Sequence, residues 1–418
     1  MSECVSSCRS RADRCVTRRR SAVRTARTDR RIPAGDGKRF RGGRVRPERD
    51  MGLEEEIEEL REEISETPYN KSTEAHIGRL KSKLAEKKEE LAKRQQSSGG
   101  GGGYHVEQHG DATVALVGFP SVGKSTLLNA LTNADSEVGS YEFTTLDVNP
   151  GMLDFRGASI QLLDVPGLIE GAAGGRGGGQ EVLSVVRSAD LIVYVLSPFE
   201  LEQYDLLAQE LYDNKIRVDQ VPPRVSVVGK GKGGIDVTAS VDLDLDEATI
   251  KNVVREHGYV NADVSINEQV DIDRLIDGVM ENREYVDSLT VVNKADLIDP
   301  SYVDTVKEGL RERGIDPEEA IFISAEEEKG LDSFKAELWD ALGLIRIYMD
   351  KPGRGVDYDE PLILREGQTV GDAVEKLGFD DRYRMSRVTG PSGQHDEQQV
   401  GLDHELMDED VLRLVLRK

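Results

Sequence analysis

A glycine-rich run between a predicted strand and a predicted helix constrains this chain most. Residues 118–125 read GFPSVGKS and fit G-x-x-x-x-G-K-[ST], after the apolar run 114–117 and before the helical run 126–131. Glycines there let backbone N–H groups surround phosphate oxygens, and the helix N-terminus adds positive potential. Lys124 would reach the β- and γ-phosphates, and the Ser125 hydroxyl would bind Mg²⁺. The run therefore predicts a phosphate-binding loop.

The surrounding pattern predicts an α/β fold built on a parallel sheet. Short apolar runs alternate with helical segments from residue 112 onward, and each run ends in a polar or glycine-rich turn. The strand candidates are residues 114–117, 160–163, 191–196, 289–292 and 321–323.

Three further motifs follow predicted strands, where ligands bind in such sheets. The carboxylate of Asp164, in the run Asp164-Val-Pro-Gly167, can hold Mg²⁺ through water, and the Gly167 N–H can touch a γ-phosphate. A buried Asp296, in Asn293-Lys-Ala-Asp296, would accept hydrogen bonds from guanine N1–H and N2–H₂, donors that adenine lacks. A backbone N–H of Ser324-Ala325 would meet guanine O6. Together with the phosphate-binding loop, this order predicts a guanine nucleotide site.

Composition excludes an integral membrane protein and a disulfide scaffold. The apolar run 191–196 has six residues, whereas a membrane-spanning helix needs about 20. The three cysteines (Cys4, Cys8 and Cys15) all lie in the first fifteen of 418 residues, and a reducing cytoplasm fits this distribution. We expect a cytoplasmic protein.

Charge divides the chain at Met51. Residues 1–50 carry 16 basic and 6 acidic residues, while the remainder carries 39 basic and 73 acidic residues. We expect residues 1–50 to be a non-native overrun upstream of a true start at Met51, with a disordered basic arm or a targeting segment as the alternatives. So acidic a body is typical of proteins from salt-loving organisms, and it means that any RNA contact needs a local basic patch.

Residues 51–98 predict a helical hairpin. One apolar stripe runs through Leu53 and Ile57 and another through Ile77 and Leu80, and Pro68 separates them. The first helix is acidic and the second basic. The basic face is either part of a solvated hairpin with attraction between the helices or a surface for RNA, and both interpretations stay open.

The motifs resemble the five-motif set of the GTPases. The runs GFPSVGKST (118–126), FTTLDVNPG (143–151) and DVPGLIEGA (164–172) are similar to the Obg branch. The two-helix start, the glycine-rich approach and the C-terminal tail resemble the developmentally regulated GTP-binding proteins (DRG) over residues 51–418, here expected from a halophilic archaeon.

The resemblance implies roles for individual residues. It implies catalytic roles for Lys124, Thr145 and Gly167. It implies Mg²⁺ ligation by Ser125, Asp164 and Thr145, with Thr144 as the alternative threonine of switch I. The implied nucleotide contacts are Gly118, Pro120, Ser121, Val122, Gly123, Lys124, Ser125, Thr126, Asn293, Lys294, Asp296, Ser324 and Ala325.

The resemblance also implies the domain order. The hairpin (51–98) would precede an Obg-type G domain formed by residues 111–221 and 286–343. Residues 222–285 would be an inserted α+β domain, since a single βαβ step needs only about 30 residues. Residues 344–418 would be a TGS domain, a ubiquitin-like β-grasp linked to RNA binding.

The expected activity is Mg²⁺-dependent hydrolysis of GTP to GDP, as a switch in translation. Leu168 stands where many GTPases have the glutamine that orients the attacking water, so we expect slow intrinsic hydrolysis aided by a partner, another residue or K⁺. Ser121 stands where related K⁺-stimulated GTPases have Asn, which argues against K⁺ among these alternatives. The alternative is a GTP-gated scaffold with negligible turnover. The expected partners are a ribosome or RNA, bound through the TGS domain, hairpin and inserted domain, and a small regulatory protein, with the chain itself a monomer.

Overall fold

The computed structural model describes residues 48–98, 109–132, 149–165, 178–351 and 353–417. Within these residues, no helix is long and apolar enough to cross a membrane.

The central sheet has seven strands. The strands are β1 (Ala112–Val117), β2 (Asn149–Phe155), β3 (Ala158–Asp164), β4 (Leu191–Leu196), β5 (Ile216–Val218), β9 (Glu284–Val292) and β10 (Ile321–Phe322). Their order is β10-β9-β4-β1-β3-β2, with β5 also paired to β9, and all pairs are parallel except β2 with β3. The predicted parallel α/β sheet is thus present, with an added antiparallel edge strand.

Helices cover both faces of this sheet because its central strands are apolar on both sides. Alternate residues of β1 enter two different cores: Val114 packs on one face and Ala115 on the other. The first face carries α3 (Lys124–Leu131) and α9 (Leu331–Ala341), and the second carries α4 (Gly178–Arg187), α5 (Gln203–Asp213) and α8 (Val303–Glu312).

The predicted hairpin consists of α1 (Glu48–Glu66) and α2 (Glu74–Ser98). It packs on a smaller unit with β6 (Val225–Gly229), β7 (Ile235–Ala239), α6 (Glu247–Glu256), β8 (Ala262–Ile266) and α7 (Ile272–Met280). Sequence analysis did not identify α7, although Asp271 caps it by accepting a hydrogen bond from Arg274 N–H.

The C-terminal unit is a five-stranded sheet covered on one face by α10 (Val370–Lys376). The strands are β11 (Leu344–Lys351), β12 (Gly355–Arg365), β13 (Tyr383–Thr389), β14 (Gln398–Val400) and β15 (Asp410–Leu416). Their order in the sheet is β12-β11-β15-β13-β14.

The C-terminal unit docks on the end of the central sheet where the parallel strands begin, rather than on an edge strand. Arg365 pairs with Asp190 at 2.6 Å, and Lys376 pairs with Asp111 at 3.1 Å. The turn between β2 and β3 also touches this unit, because a Cβ on Gly157 would lie 2.5 Å from Pro361 Cγ. The C-terminal unit therefore sits opposite the strand ends that carry the nucleotide motifs.

Gly157→Ala tests this close approach. Gly157 has φ of 85°, so alanine there meets both backbone strain and Pro361. We expect the free energy of unfolding to fall by about 2–4 kcal/mol in denaturant titrations. Gly314→Ala is the matched control, because Gly314 has φ of 76° with nothing within 4 Å, and we expect a loss of about 1–2 kcal/mol. Equal losses in the two variants would contradict a tight interface.

Candidate guanine nucleotide site

The loop between β1 and α3 passes its neighbours too closely for side chains at two glycines. A Cβ on Gly118 would lie 2.5 Å from the Val195 carbonyl oxygen, and one on Gly123 would lie 2.4 Å from Asn293 Nδ2. Gly123 also has φ of 96°, in the left-handed region. The glycines therefore let the backbone curl ahead of α3, as phosphate binding by N–H groups requires.

Lys124 lies folded over this loop. Its Nζ donates to the carbonyl oxygens of Gly118 at 2.9 Å and Phe119 at 3.2 Å, and the residue is 8% exposed. Burial lowers the pKa of the Lys124 ammonium, while the nearby Asp164 carboxylate opposes that shift. An arriving phosphate would replace two neutral carbonyl acceptors with charged ones, which bind an ammonium more strongly.

Ser125 and Asp164 come together although 39 residues separate them. The Ser125 hydroxyl donates to Asp164 Oδ2 at 2.5 Å. Asp164 is 3% exposed, and its Oδ1 is buried with no hydrogen-bond partner among the described residues. An unpaired buried carboxylate oxygen beside a hydroxyl suits a hard cation such as Mg²⁺, directly or through water.

Asn293 joins three of the motifs. Its Nδ2 donates to the Val122 carbonyl at 2.9 Å, and its Oδ1 accepts from the Ala325 N–H at 3.0 Å. Asn293 is 2% exposed, and its own N–H donates to the Leu196 carbonyl at 2.9 Å. One buried side chain thus holds the phosphate-binding loop and the Ser324-Ala325 turn together.

The run Asn293-Lys-Ala-Asp296, which is the predicted base-recognition segment, lies beside the same loop. Lys294 Nζ donates to the Ser121 carbonyl at 2.6 Å, and both residues have φ above 60°. Such left-handed backbone in non-glycine residues is strained and is concentrated at functional sites.

Two details differ from the sequence interpretation. Asp296 is exposed in a short 3₁₀ turn rather than buried, because it follows the end of β9. Its desolvation would accompany binding of the base instead of preceding it. A backbone N–H of Ser324-Ala325 was expected to meet guanine O6, but the Ser324 N–H donates to the Lys329 carbonyl and the Ala325 N–H donates to Asn293 Oδ1.

Comparisons with known proteins agree with this geometry. A family model described as a 50S ribosome-binding GTPase matches residues 113–230, and a model for the C-terminal region of that domain matches residues 232–344. A TGS domain model matches residues 345–416. An uncharacterized GTP-binding protein of Halobacterium salinarum is 70% identical over 88% of this chain and 100% of its own length. This chain belongs to the family of GTP-binding proteins that includes the Halobacterium salinarum protein.

Two further relatives are less similar to this chain. An uncharacterized GTP-binding protein of Methanocaldococcus jannaschii is 50% identical over 88% of this chain and 94% of its own length. The developmentally-regulated GTP-binding protein 2 homolog of Dictyostelium discoideum is 40% identical over 87% of this chain and 100% of its own length. The P-loop GTPase and TGS fold predicted from the sequence is confirmed.

Some predicted site residues of this GTP-binding protein lie outside the described residues. These are Thr144, Thr145, Gly167 and Leu168. The remaining loop positions Pro120 and Thr126 are exposed.

The basic helix of the hairpin is largely neutralised inside the protein. Its cations pair with carboxylates of α1, α5 and α7, and with glutamates of the same helix. The pairs are Lys87–Glu56, Lys88–Asp213, Lys81–Asp273, Lys93–Glu89 and Arg94–Glu90, each at 2.5–2.7 Å. The contacts therefore favour the structural interpretation of this helix over an RNA surface.

The same holds for a lysine of the smaller unit formed by β6 to β8, α6 and α7, which we call the inserted unit. Lys230, in the turn between β6 and β7, pairs with Asp236 and Asp263. Lys232 in the same turn is exposed.

Proposed function

We propose that this GTP-binding protein is a DRG-type GTPase that hydrolyses GTP to GDP and phosphate with Mg²⁺. The observation that carries the proposal is the buried Asn293, which joins the phosphate-binding loop to the Ser324-Ala325 turn beside the base-recognition segment. The 40% identity to a developmentally-regulated GTP-binding protein supports the DRG assignment.

Different described residues would bind the phosphates of GTP, its guanine base and the Mg²⁺ ion. Loop N–H groups and Lys124 would hold the β- and γ-phosphates, while Asp296 would accept the guanine N1–H and N2–H₂. Ser125 and Asp164 would hold Mg²⁺, which when bound neutralises phosphate charge. The stem of Lys294, anchored to the Ser121 carbonyl, would cover one face of the base.

The remaining roles rest on the resemblance. Thr145 would complete the Mg²⁺ shell in the GTP state, and the Gly167 N–H would contact the γ-phosphate. Both stay proposals, as do the nucleotide contacts of Pro120, Val122 and Thr126.

GTP turnover by the full chain tests the proposal. The assay would run in high KCl and, in parallel, in high NaCl, because the acidic body supports the proposal of a halophilic protein. We also propose a cytoplasmic location. ATP and the variant Lys124→Ala serve as controls. We expect hydrolysis of GTP but not ATP, and none by the variant. A K⁺ or ribosome effect would identify what replaces the missing glutamine.

A GTP-gated scaffold is the second candidate, because Leu168 cannot hydrogen-bond a water. Tight GTP binding without turnover in any arm, including one with added ribosomes, would favour it over the enzyme.

Leu168→Gln addresses the same point directly. If another group positions the attacking water, we expect turnover to change less than about threefold, well below the effect of a typical positioned catalytic group. Single-turnover hydrolysis measures this, with nucleotide affinity as the control. A large gain in rate would contradict water positioning by another group.

The cellular role that we propose is a switch in translation, associated with RNA or the ribosome. The description of the matched family model as a 50S ribosome-binding GTPase and the TGS match support it. We further propose that the chain acts as a monomer with a small regulatory protein partner. Cosedimentation with ribosomes in GTP-analogue and GDP states tests the association.

A further inference from the structure

The C-terminal sheet carries α10 on one face; its other face meets the central sheet at β12, where Ile363 is buried, and is uncovered over β13 and β15. Leu412 and Leu414 of β15 and Val388 of β13 pack into the core beneath α10. Because successive strand residues point to opposite faces, Arg413 and Arg387 project from the other side, and both are about 40% exposed.

Arginines are concentrated on this uncovered face. Arg387 and Arg413 are direct cross-strand partners, an arrangement that is unfavourable for like charges unless an anion lies between them. Glu397 partly supplies that charge, at 2.8 Å from Arg387 and 3.7 Å from Arg413, and Asp350 lies 3.5 Å from Arg413.

Further arginines at one corner of the sheet lack such partners. The Arg417 N–H donates to the Arg382 carbonyl at 2.6 Å, which brings the end of β15 beside the start of β13. Arg382, Arg384 and Arg417 are exposed, and within the described part of the chain no carboxylate forms an ion pair with them. Exposed Asp380 and Asp381 flank this corner in the sequence.

Two tyrosines lie toward the other end of the same face. Tyr348 is in register with Val411 of β15 and has the opposite orientation from the core residue Ile347. Tyr358 packs against it with ring centroids 4.9 Å apart, and Tyr358 is 64% exposed.

We propose that this face binds single-stranded RNA. We call it the open sheet face and define it by Tyr348, Tyr358, Arg384, Arg387, Arg413 and Arg417. Arg384 is the extra residue where the register of β13 shifts between Tyr383 and Met385, so it leaves the strand's alternation and lies at the corner beside Met385, the partner of Val415. The inference rests on the proposed association with RNA or the ribosome and locates that contact.

Charge and shape favour this ligand. Apart from the terminal segment 1–50, the protein is strongly acidic, and many cations of the hairpin are already paired, so free arginines on one face attract a polyanion. An uncovered sheet with exposed aromatic rings suits unstacked bases, whereas duplex RNA presents its phosphates and grooves instead. The arginines would bind phosphates and the tyrosines would stack on bases.

Fluorescence anisotropy with a labelled 12-nucleotide single-stranded RNA tests the proposal on the full chain. Titrations would run over a KCl series in which circular dichroism shows an unchanged fold. We expect Arg384→Gln combined with Arg417→Gln to weaken binding at least tenfold and to reduce the salt slope by about 1.4. Tyr358→Ala should weaken binding at least about fivefold.

The matched control removes the same charge from the hairpin. Arg79 and Lys83 are exposed on α2, and Arg79→Gln combined with Lys83→Gln should change RNA affinity less than twofold. Equal losses in the two double variants would overturn the proposal, as would absence of binding by the unmodified chain. Equal competition by duplex RNA or by polyglutamate, which stands for an acidic protein partner, would also overturn it.

Nucleotide assays on the same proteins separate this proposal from the proposed GTPase. GDP-analogue affinity and GTP turnover should stay unchanged in both double variants, because the open sheet face belongs to a unit docked opposite the nucleotide motifs. Loss of RNA binding with intact turnover would support the face. Absence of turnover in the unmodified chain would leave the RNA result standing.

Discussion

Asp296→Asn is expected to reduce GTP affinity about 10³-fold, since guanine loses two charge-assisted hydrogen bonds. The asparagine amide would instead donate to the C2 carbonyl of xanthine. We therefore expect XTP to bind the variant more tightly than GTP, reversing the preference of the unmodified chain. Equilibrium competition against a fluorescent GDP analogue measures both nucleotides.

Asp299→Asn is the control for this exchange. Asp299 is exposed three residues further on, where its carboxylate accepts from the Ser301 N–H and hydroxyl. The control should leave nucleotide preference unchanged. If Asp296→Asn kept its preference for GTP over XTP, Asp296 would not be the residue that reads the base.

Asp277→Ala is expected to lower the free energy of unfolding by about 3–5 kcal/mol, the largest stability effect that the described contacts predict. Asp277 accepts from Arg217 at 2.6 and 2.9 Å and from Arg283 at 2.6 Å. All three side chains are at most 8% exposed. Alanine would leave two buried guanidinium groups without their carboxylate. Urea unfolding in high salt measures the loss.

Asp273→Ala is the matched control on the same helix. Asp273 pairs with Lys81 at 2.5 Å, but its side chain is 41% exposed. We expect a loss below about 1 kcal/mol, because solvent screens exposed pairs. Comparable losses in the two variants would contradict the large effect expected for the buried Asp277 cluster.

The ion pairs of Arg365 and Lys376 place the C-terminal unit away from the nucleotide motifs. The phosphate-binding loop, Asp164 and Asn293 follow the ends of parallel strands, whereas Asp111 and Asp190 precede strands at the opposite edge and bind the C-terminal unit. The β2–β3 pair connects the two edges, with Asp164 at one end and the Gly157 turn at the other.

The sequence alone was enough for the α/β fold and for the order of the nucleotide motifs. Strands such as β1 and β4 are apolar on both faces, which few environments other than a covered parallel sheet can accommodate. The phosphate-binding loop can also be recognised in the sequence, because the local backbone geometry of such a loop requires glycine. By contrast, the short or partly exposed strands β12, β13 and β14 carry no continuous apolar run and were not predicted.

Only the tertiary structure decided which polar groups meet. Asn293 reaches Val122 across 171 residues, and Lys81 reaches Asp273 across 192. Charge and amide patterns along the chain do not encode such partners, because pairing depends on how separate elements pack. Packing thus made the hairpin's basic helix a structural element, left Asp296 exposed and placed the C-terminal unit at the edge opposite the nucleotide.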